Sequence, residues 1–326
     1  MKKKVVFLGT GGTIAGTAQS DSDNVGYKAA QVGIDALLAT SPALRKALGA
    51  HEAQTEQVLQ INSKDMVFAG LQAMLARVIH HLSRPDVDSV LITHGTDTLE
   101  ESAYFLHRTI PAEVLKGKAI VFTCAMRPAS SSNADGPANL CDAATVAVSP
   151  LRSGVMVVCA GKVHAGAHIQ KVHPYRLDPF DSGDSGPLGF VEEGVYRRVS
   201  AMPEGLPASA AVDARKVLEG TGPRVEIVVS HSGSGGAMVR ALINDANNKS
   251  EPLRGIVVAG TGNGTVHEAM EPALLEAKQA GIKVWRTTRC AYGAVVLGSE
   301  AEPDEFAASH VSAVKARIDL QLALMQ

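Results

Sequence analysis

Four short runs of this chain, residues 4–8, 89–93, 119–123 and 154–159, are dominated by β-branched and other apolar residues with no alternation of polar ones. A strand of that composition must be covered on both faces, which a parallel sheet sheathed by crossover helices provides. Between the runs, residues 65–82, 98–107 and 138–148 carry apolar side chains at helical spacing, the first of them behind a possible Ser63 cap. From about 197 to 223 the period is lost, and Pro203, Gly205, Pro207, Gly220, Gly222 and Pro223 collect as they do in connecting segments. Strand-like runs at 225–230, 255–259 and 283–287 then alternate with helical ones at 237–244 and 267–280. Within 305–325, Val311, Val314, Ile318 and Leu322 recur on one helical face, which predicts a closing helix. The expected fold is α/β with two domains: a larger, mostly parallel wound sheet over 1–200, a linker over 201–223, and a smaller α/β domain over 224–326. A length of 326 residues agrees, because single cores usually stop growing below it.

Charge and composition narrow the partners. Lys plus Arg number 31 against 33 Asp plus Glu, a net charge of -2 with no long block of one sign, and aromatic residues make up only 4%. Such a chain offers neither a steering field for nucleic acid nor a stacking surface, and no run approaches the roughly 20 apolar residues of a membrane span. The expected partner is a small molecule. Lys2, Lys3 and Lys4 imitate the start of a signal peptide, but the apolar run after them ends at Leu8; the expected compartment is the cytoplasm, although a mature periplasmic chain reads the same way. Cys124, Cys141, Cys159 and Cys290 lack CxxC spacing and mostly sit among apolar neighbours, which reads as buried thiols.

The chemistry-bearing residues gather in two loops. Gly9-Thr10-Gly11-Gly12-Thr13-Ile14-Ala15-Gly16 directly follows the first strand, where open α/β sheets bind ligands. A dinucleotide fingerprint would need glycine where Ile14 stands, and no Gly-Lys-Ser/Thr follows for a phosphate loop. The glycines taken alone also suit a plain tight turn. At the end of 89–93 come His94-Gly95-Thr96-Asp97-Thr98 and a helix opening with Glu100 and Glu101, so hydroxyl, carboxylate and helix-start N–H groups meet at a second strand end. Asp97 or Thr98 alone also suits a helix cap.

Taken together, Thr10 to Gly16 and Thr93 to Glu101 resemble the two signature motifs of the bacterial L-asparaginase/glutaminase family. The resemblance runs on through 125–128, 134–140, 186–189 and 260–264, nearly the whole chain. It implies hydrolysis of L-asparagine to L-aspartate and ammonia with side activity on L-glutamine, no metal or organic cofactor, and a homotetramer built from intimate dimers with sites between subunits. By the same resemblance Thr13 is the attacking hydroxyl, Tyr27 lies on a flap over it, and Thr96, Asp97 and Lys171 form a second triad. Gly12 and Gly95 line the substrate, Ser63 holds its α-carboxylate, and Glu300, with Asn263 or Thr265, reaches the site from a neighbouring subunit. Tyr27 and Lys171 are placed by their spacing to Gly33 and to Gly186-Pro187.

A threonine hydroxyl is a poor nucleophile at neutral pH and must pass its proton on as it attacks. Tyr27 can relay that proton. A lysine beside Asp97 can serve as a positioned charge or as a base acting through Thr96, and the sequence leaves both open. The tetrahedral oxyanion needs preorganised donors, which the N–H groups of the two glycine-rich loops can supply.

Lys64 departs from the family, which usually places Gln or Glu after the serine to accept a hydrogen bond from the substrate α-ammonium. A cation cannot accept that bond and repels the ammonium. Lys64 therefore either turns away to pair with an acid, or shifts preference toward N-substituted asparagine or succinamate-like amides. Read without the family, Tyr27 is an exposed loop residue, Lys171 a surface lysine, Ser63 a helix cap and Glu300 a loop acid. His164 and His168 stand four apart like metal ligands, but the glycines around them disfavour the aligning helix; His80-His81 closes a helix and suits its negative end. Two other functional readings are a catalytically silent amino-acid-binding protein and a subunit of a tRNA-dependent amidotransferase. The latter usually carries an extra N-terminal domain, for which a first strand at Lys4 leaves no room.

Overall fold

The computed structural model describes residues 2–39, 43–203, 212–246, 251–298 and 305–326. The chain divides into two compact units, residues 1–211 and 212–326. Strands of the first unit are β1 (Lys4–Gly11), β2 (Glu52–Ile61), β3 (Val87–Thr93), β4 (Ala119–Thr123), β5 (Gly154–Cys159), β6 (Lys162–Ala165), β7 (Gln170–Lys171), β8 (Phe180–Asp181), β9 (Gly189–Glu192) and β10 (Val195–Arg198). Its helices are α1 (Ile34–Ala39), α2 (Leu44–Leu48), α3 (Phe68–Leu82), α4 (Leu99–Thr109), α5 (Ala112–Leu115) and α6 (Gly136–Val148).

The large sheet has the order β10-β9-β6-β5-β4-β3-β1-β2. From β2 to β5 neighbours are parallel, and from β5 through β6 and β9 to β10 they are antiparallel. The apolar runs occupy the middle of it. Val5, Val6, Phe7 and Leu8 are all fully buried, as are Val90, Leu91 and Ile92. Val5, Phe7, Leu91, Val121, Met156 and Val158 join one core with Leu140, Ala143, Ala144 and Ala147 of α6 and with residues of α1 and α2. Each large side chain so buried contributes roughly 1.5–3 kcal/mol, which is why these strands tolerate no polar alternation. The chain leaves β1 for β2 on one side and crosses back to β3 on the other. The loops after β1 and β3 therefore meet at a topological switch point, the place where open α/β sheets bind ligands.

The second unit holds β11 (Arg224–Val229), β12 (Leu253–Gly260), β13 (Lys283–Thr288) and β14 (Ala307–Ala308), all parallel and in that order, with helices α7 (Ala214–Glu219), α8 (Ala237–Asp245), α9 (Glu271–Gln279) and α10 (Ala313–Ala323). Val239 of α8 and Leu274 and Ala277 of α9 pack with Ile256 and Val258. Ala316 and Leu320 of α10 pack with Val225 and Val257, whose side chains alternate to the opposite face. No helix among the described residues is long and apolar enough to cross a membrane.

Several local expectations are corrected. Ser63 does not cap α3: residues Ser63–Asp65 form a separate 3₁₀ turn capped by Asn62, whose side chain accepts from the Lys64 N–H, and α3 starts only at Phe68. The stretch read as a linker contains α7, capped by Asp213. The closing helix starts after Val311 and buries Ala316, Ile318, Leu320 and Leu322, two rows where one stripe was expected. His81 does not serve as a cation at a helix end. Burial lowers its pKa, its Nε2 faces Glu56 Oε2 at 2.7 Å, and its Nδ1 accepts from Arg84. Of the cysteines, Cys124 and Cys159 are buried, Cys141 is half-buried and Cys290 is exposed.

Candidate active site

The loops after β1 and β3 touch through two glycines. A Cβ on Gly12, whose φ is +80°, would stand 2.4 Å from both Cα and N of Gly95. One on Gly95 would stand 2.4 Å from Ser63 Oγ. Only residues without a side chain let the backbones come this close, and the contact makes neighbours of Thr13, Thr96 and Ser63, each buried. Thr10 strengthens the junction by donating from its hydroxyl to Thr93 O at 2.9 Å. The Gly12 N–H is committed to Ile61 O at 2.9 Å, so Gly12 cannot be an oxyanion donor.

Thr13 Oγ1 lies 2.7 Å from Tyr27 Oη. Tyr27 is carried by residues 17–28, an excursion closed at its base by the reciprocal bonds Thr17 N to Lys28 O (2.9 Å) and Lys28 N to Thr17 O (2.8 Å). Its ring lies against Gly16, where a Cβ would come within 2.8 Å of Cδ2. Asp23 folds the tip by accepting the N–H groups of Val25 and Gly26, and those bonds lower its pKa.

Across the loop junction, Lys171 Nζ donates to Thr96 Oγ1 at 2.9 Å and to Asp97 Oδ1 at 2.7 Å. The lysine side chain is 17% exposed and that of Asp97 52%, so the pair lies at the mouth of the site. His94, fully buried at the end of β3, is held below its usual range, at about 4, by burial. Its Nδ1 faces the carbonyl of Gly95 at 2.8 Å and must carry the proton, so Nε2 accepts from Ser102 at 3.0 Å. A neutral ring therefore orients Gly95.

Ser63 Oγ, in contrast, is buried with no hydrogen-bond partner among the described residues. Its own carbonyl accepts from Thr98 Oγ1 at 2.7 Å, which places the hydroxyl beside Gly95. Lys64 turns to Asp65, with Nζ 2.8 Å from Oδ1 and 2.9 Å from Oδ2, both side chains more than half exposed.

The remaining positions lie in the second unit. Asn263 clasps the main chain of Val296, donating to its carbonyl at 2.8 Å and accepting from its N–H at 2.7 Å. Thr265 bonds Thr261 through both hydroxyl and main chain. Glu300 lies outside the described residues. Sequence reasoning missed Thr98 as the support of Ser63, and Glu100, whose buried carboxylate accepts the main-chain N–H of Lys171. The signal for Glu100 was only its place in the first turn of a helix, which any capping acid shares.

Comparison with known proteins gives a consistent assignment. Residues 4–201 match the family described as Asparaginase, N-terminal, and residues 224–326 match the Glutaminase/Asparaginase C-terminal domain. The chain is 33% identical to L-asparaginase 2 of Escherichia coli over 99% of its own length and 89% of the relative's. It is 34% identical to a glutaminase-asparaginase of Pseudomonas fluorescens, covering 98% of this chain and 86% of that one. Among solved structures, a probable cytoplasmic L-asparaginase from Campylobacter jejuni superimposes with a TM-score of 0.89 at 32% identity, covering 100% of this chain and 96% of the other.

Proposed function

Because the chain belongs to the asparaginase family, we propose that it is an amidohydrolase that converts L-asparagine to L-aspartate and ammonia, with side activity on L-glutamine, and that Thr13 is its nucleophile. The observation that carries this reading is the convergence of two hydrogen-bonded groups, Thr13 with Tyr27 and Lys171 with Thr96 and Asp97, on either side of the Gly12–Gly95 contact.

In the proposed reaction the Thr13 hydroxyl attacks the side-chain carboxamide carbon, and its proton is relayed through the Tyr27 hydroxyl, already at hydrogen-bond distance, to the departing amide nitrogen. Main-chain N–H groups beyond Gly12 in the first loop, and in the second, stabilise the oxyanion. The C–N bond breaks, ammonia leaves with a proton, and water hydrolyses the ester left on Thr13. Lys171, bonded to Thr96 and Asp97, serves as a fixed positive charge beside the developing negative one. Ser63 donates its unpartnered hydroxyl to the substrate α-carboxylate, since a buried hydroxyl without a partner is worth about 1–3 kcal/mol to satisfy. Lys64 is drawn off by Asp65, and the half-exposed carboxylate of Asp97 takes the α-ammonium, which favours free L-asparagine over N-substituted amides. A homotetramer of intimate dimers, with Glu300 and the loop pinned by Asn263 approaching a neighbour's site, completes the proposal. The four free thiols favour a cytoplasmic location.

The test is ammonia release from L-asparagine, L-glutamine and N-acetyl-L-asparagine by the wild type and Thr13→Ala. Turnover of L-asparagine is expected, with a loss on the order of 10⁴-fold or more in the variant. An undiminished variant removes Thr13 from its role, and an inert wild type that still binds asparagine turns the protein into a silent binder.

A further inference from the structure

Lys171 is held in an unusual way. It belongs to β7, a two-residue strand paired with β8 in a ribbon separate from the large sheet. Both of its ends are gripped by one short segment: Thr96 and Asp97 take its ammonium, and Glu100, one turn on at the start of α4, takes its main-chain N–H. Glu100 is buried, and its carboxylate sits at a helix N-terminus, where the main-chain dipoles favour negative charge. A charge-assisted bond from a main-chain donor to such a carboxylate is stronger than a neutral one.

A lysine side chain has four rotatable bonds between backbone and ammonium, so bonds at Nζ alone cannot fix its root. We propose that Glu100 is a positioning residue: it anchors the main chain of Lys171 and so sets the ammonium against Thr96 and Asp97. The inference rests on the reading of Lys171 as part of the reaction machinery and adds the residue that holds it in register.

The experiment is steady-state kinetics with L-asparagine for Glu100→Ala, Glu100→Gln and Glu100→Asp, each well below its melting midpoint, together with Lys171→Met and the double variant Glu100→Ala/Lys171→Met. Misplacing a reacting group by about 1 Å costs on the order of 100-fold, so Glu100→Ala is expected to lower kcat about 10- to 100-fold with KM changed less than about threefold. Glu100→Gln keeps an acceptor at the same reach and should stay within about threefold of wild type, while Glu100→Asp, one methylene short, should lose about fivefold or more. On the Lys171→Met background Glu100→Ala should cost nothing further. If Glu100→Ala does not fold, the Gln and Asp variants decide. Wild-type kcat in Glu100→Asp, or equal additional losses with and without Lys171, overturns the proposal. Full activity of Lys171→Met would instead remove the role given to Lys171 itself, a separate failure.

Discussion

Replacing Gly12 by alanine tests whether the close approach of the two loops makes the site. The new Cβ would stand 2.4 Å from two backbone atoms of Gly95, where ordinary van der Waals contact begins near 3.4 Å, so the loops must part by about 1 Å. Neither partner is the end of a flexible side chain that could swing away. The cost has two parts: about 1–3 kcal/mol of overpacking, and about 1–3 kcal/mol of backbone strain, because φ of +80° with ψ of -171° is a conformation that essentially only glycine adopts. Their sum, roughly 2–6 kcal/mol, should lower the melting midpoint by about 4–24 °C for a domain near 200 residues. The larger effect is on rate. A 1 Å separation of Thr13 from Thr96 and Lys171 is expected to lower kcat by about 100-fold. Gly117→Ala is the control, because its φ of +71° is also positive but no atom of the described residues lies within 4 Å of the added methyl. It should cost about 1 kcal/mol and leave kcat alone. Folded Gly12→Ala enzyme with kcat within threefold of wild type would refute the reasoning, since the loop contact would then be irrelevant to catalysis.

Two further outcomes follow from the same geometry. His94 and His164 are both held at about 4 by burial, so they stay neutral in the folded protein while the unfolded chain protonates near 6.5. Stability should be fully present above that value and fall as pH drops from about 6.5 through 4, by on the order of 3 kcal/mol per histidine; urea unfolding of wild type against His94→Gln should show a shallower fall in the variant, and identical slopes would contradict it. Because Lys64 is exposed and paired to Asp65, Lys64→Gln should change KM for L-asparagine less than about twofold and stability by less than about 1 kcal/mol; a severalfold drop in KM would show that its charge reaches the substrate.

The central strands were legible because burial on both faces leaves a short apolar run, and its β-branched content and its length, too short for a helix, mark it as a strand, as Val5 to Leu8 and Val90 to Ile92 show. The edge strand β2 was not legible: only one edge of it pairs, none of its residues is buried, and its composition is polar enough to pass for a loop. The antiparallel extension from β6 to β10 and the ribbon of β7 with β8 escaped for another reason, since strands of two to four residues carry too little pattern to read. In the site, Thr13, Thr96 and Asp97 stand in two contiguous motifs and are legible in the chain, whereas Tyr27, Ser63 and Lys171 are single residues outside them that a plain reading takes for loop, cap and surface positions.

What the amino-acid order determined alone was local: the apolar periods that build β1 and β3 to β5, and the two glycine-rich loops that must follow strand ends. Which polar atoms meet was decided by tertiary structure, because the bonds that assemble the site around Lys171 join residues far apart in the chain. Lys171 finds Thr96, Asp97 and Glu100 across more than seventy residues, and Lys64 is diverted by its neighbour Asp65. Hydrophobic burial follows from composition along a segment, whereas a hydrogen bond needs two particular atoms within about 3 Å, and only the folded backbone sets that distance.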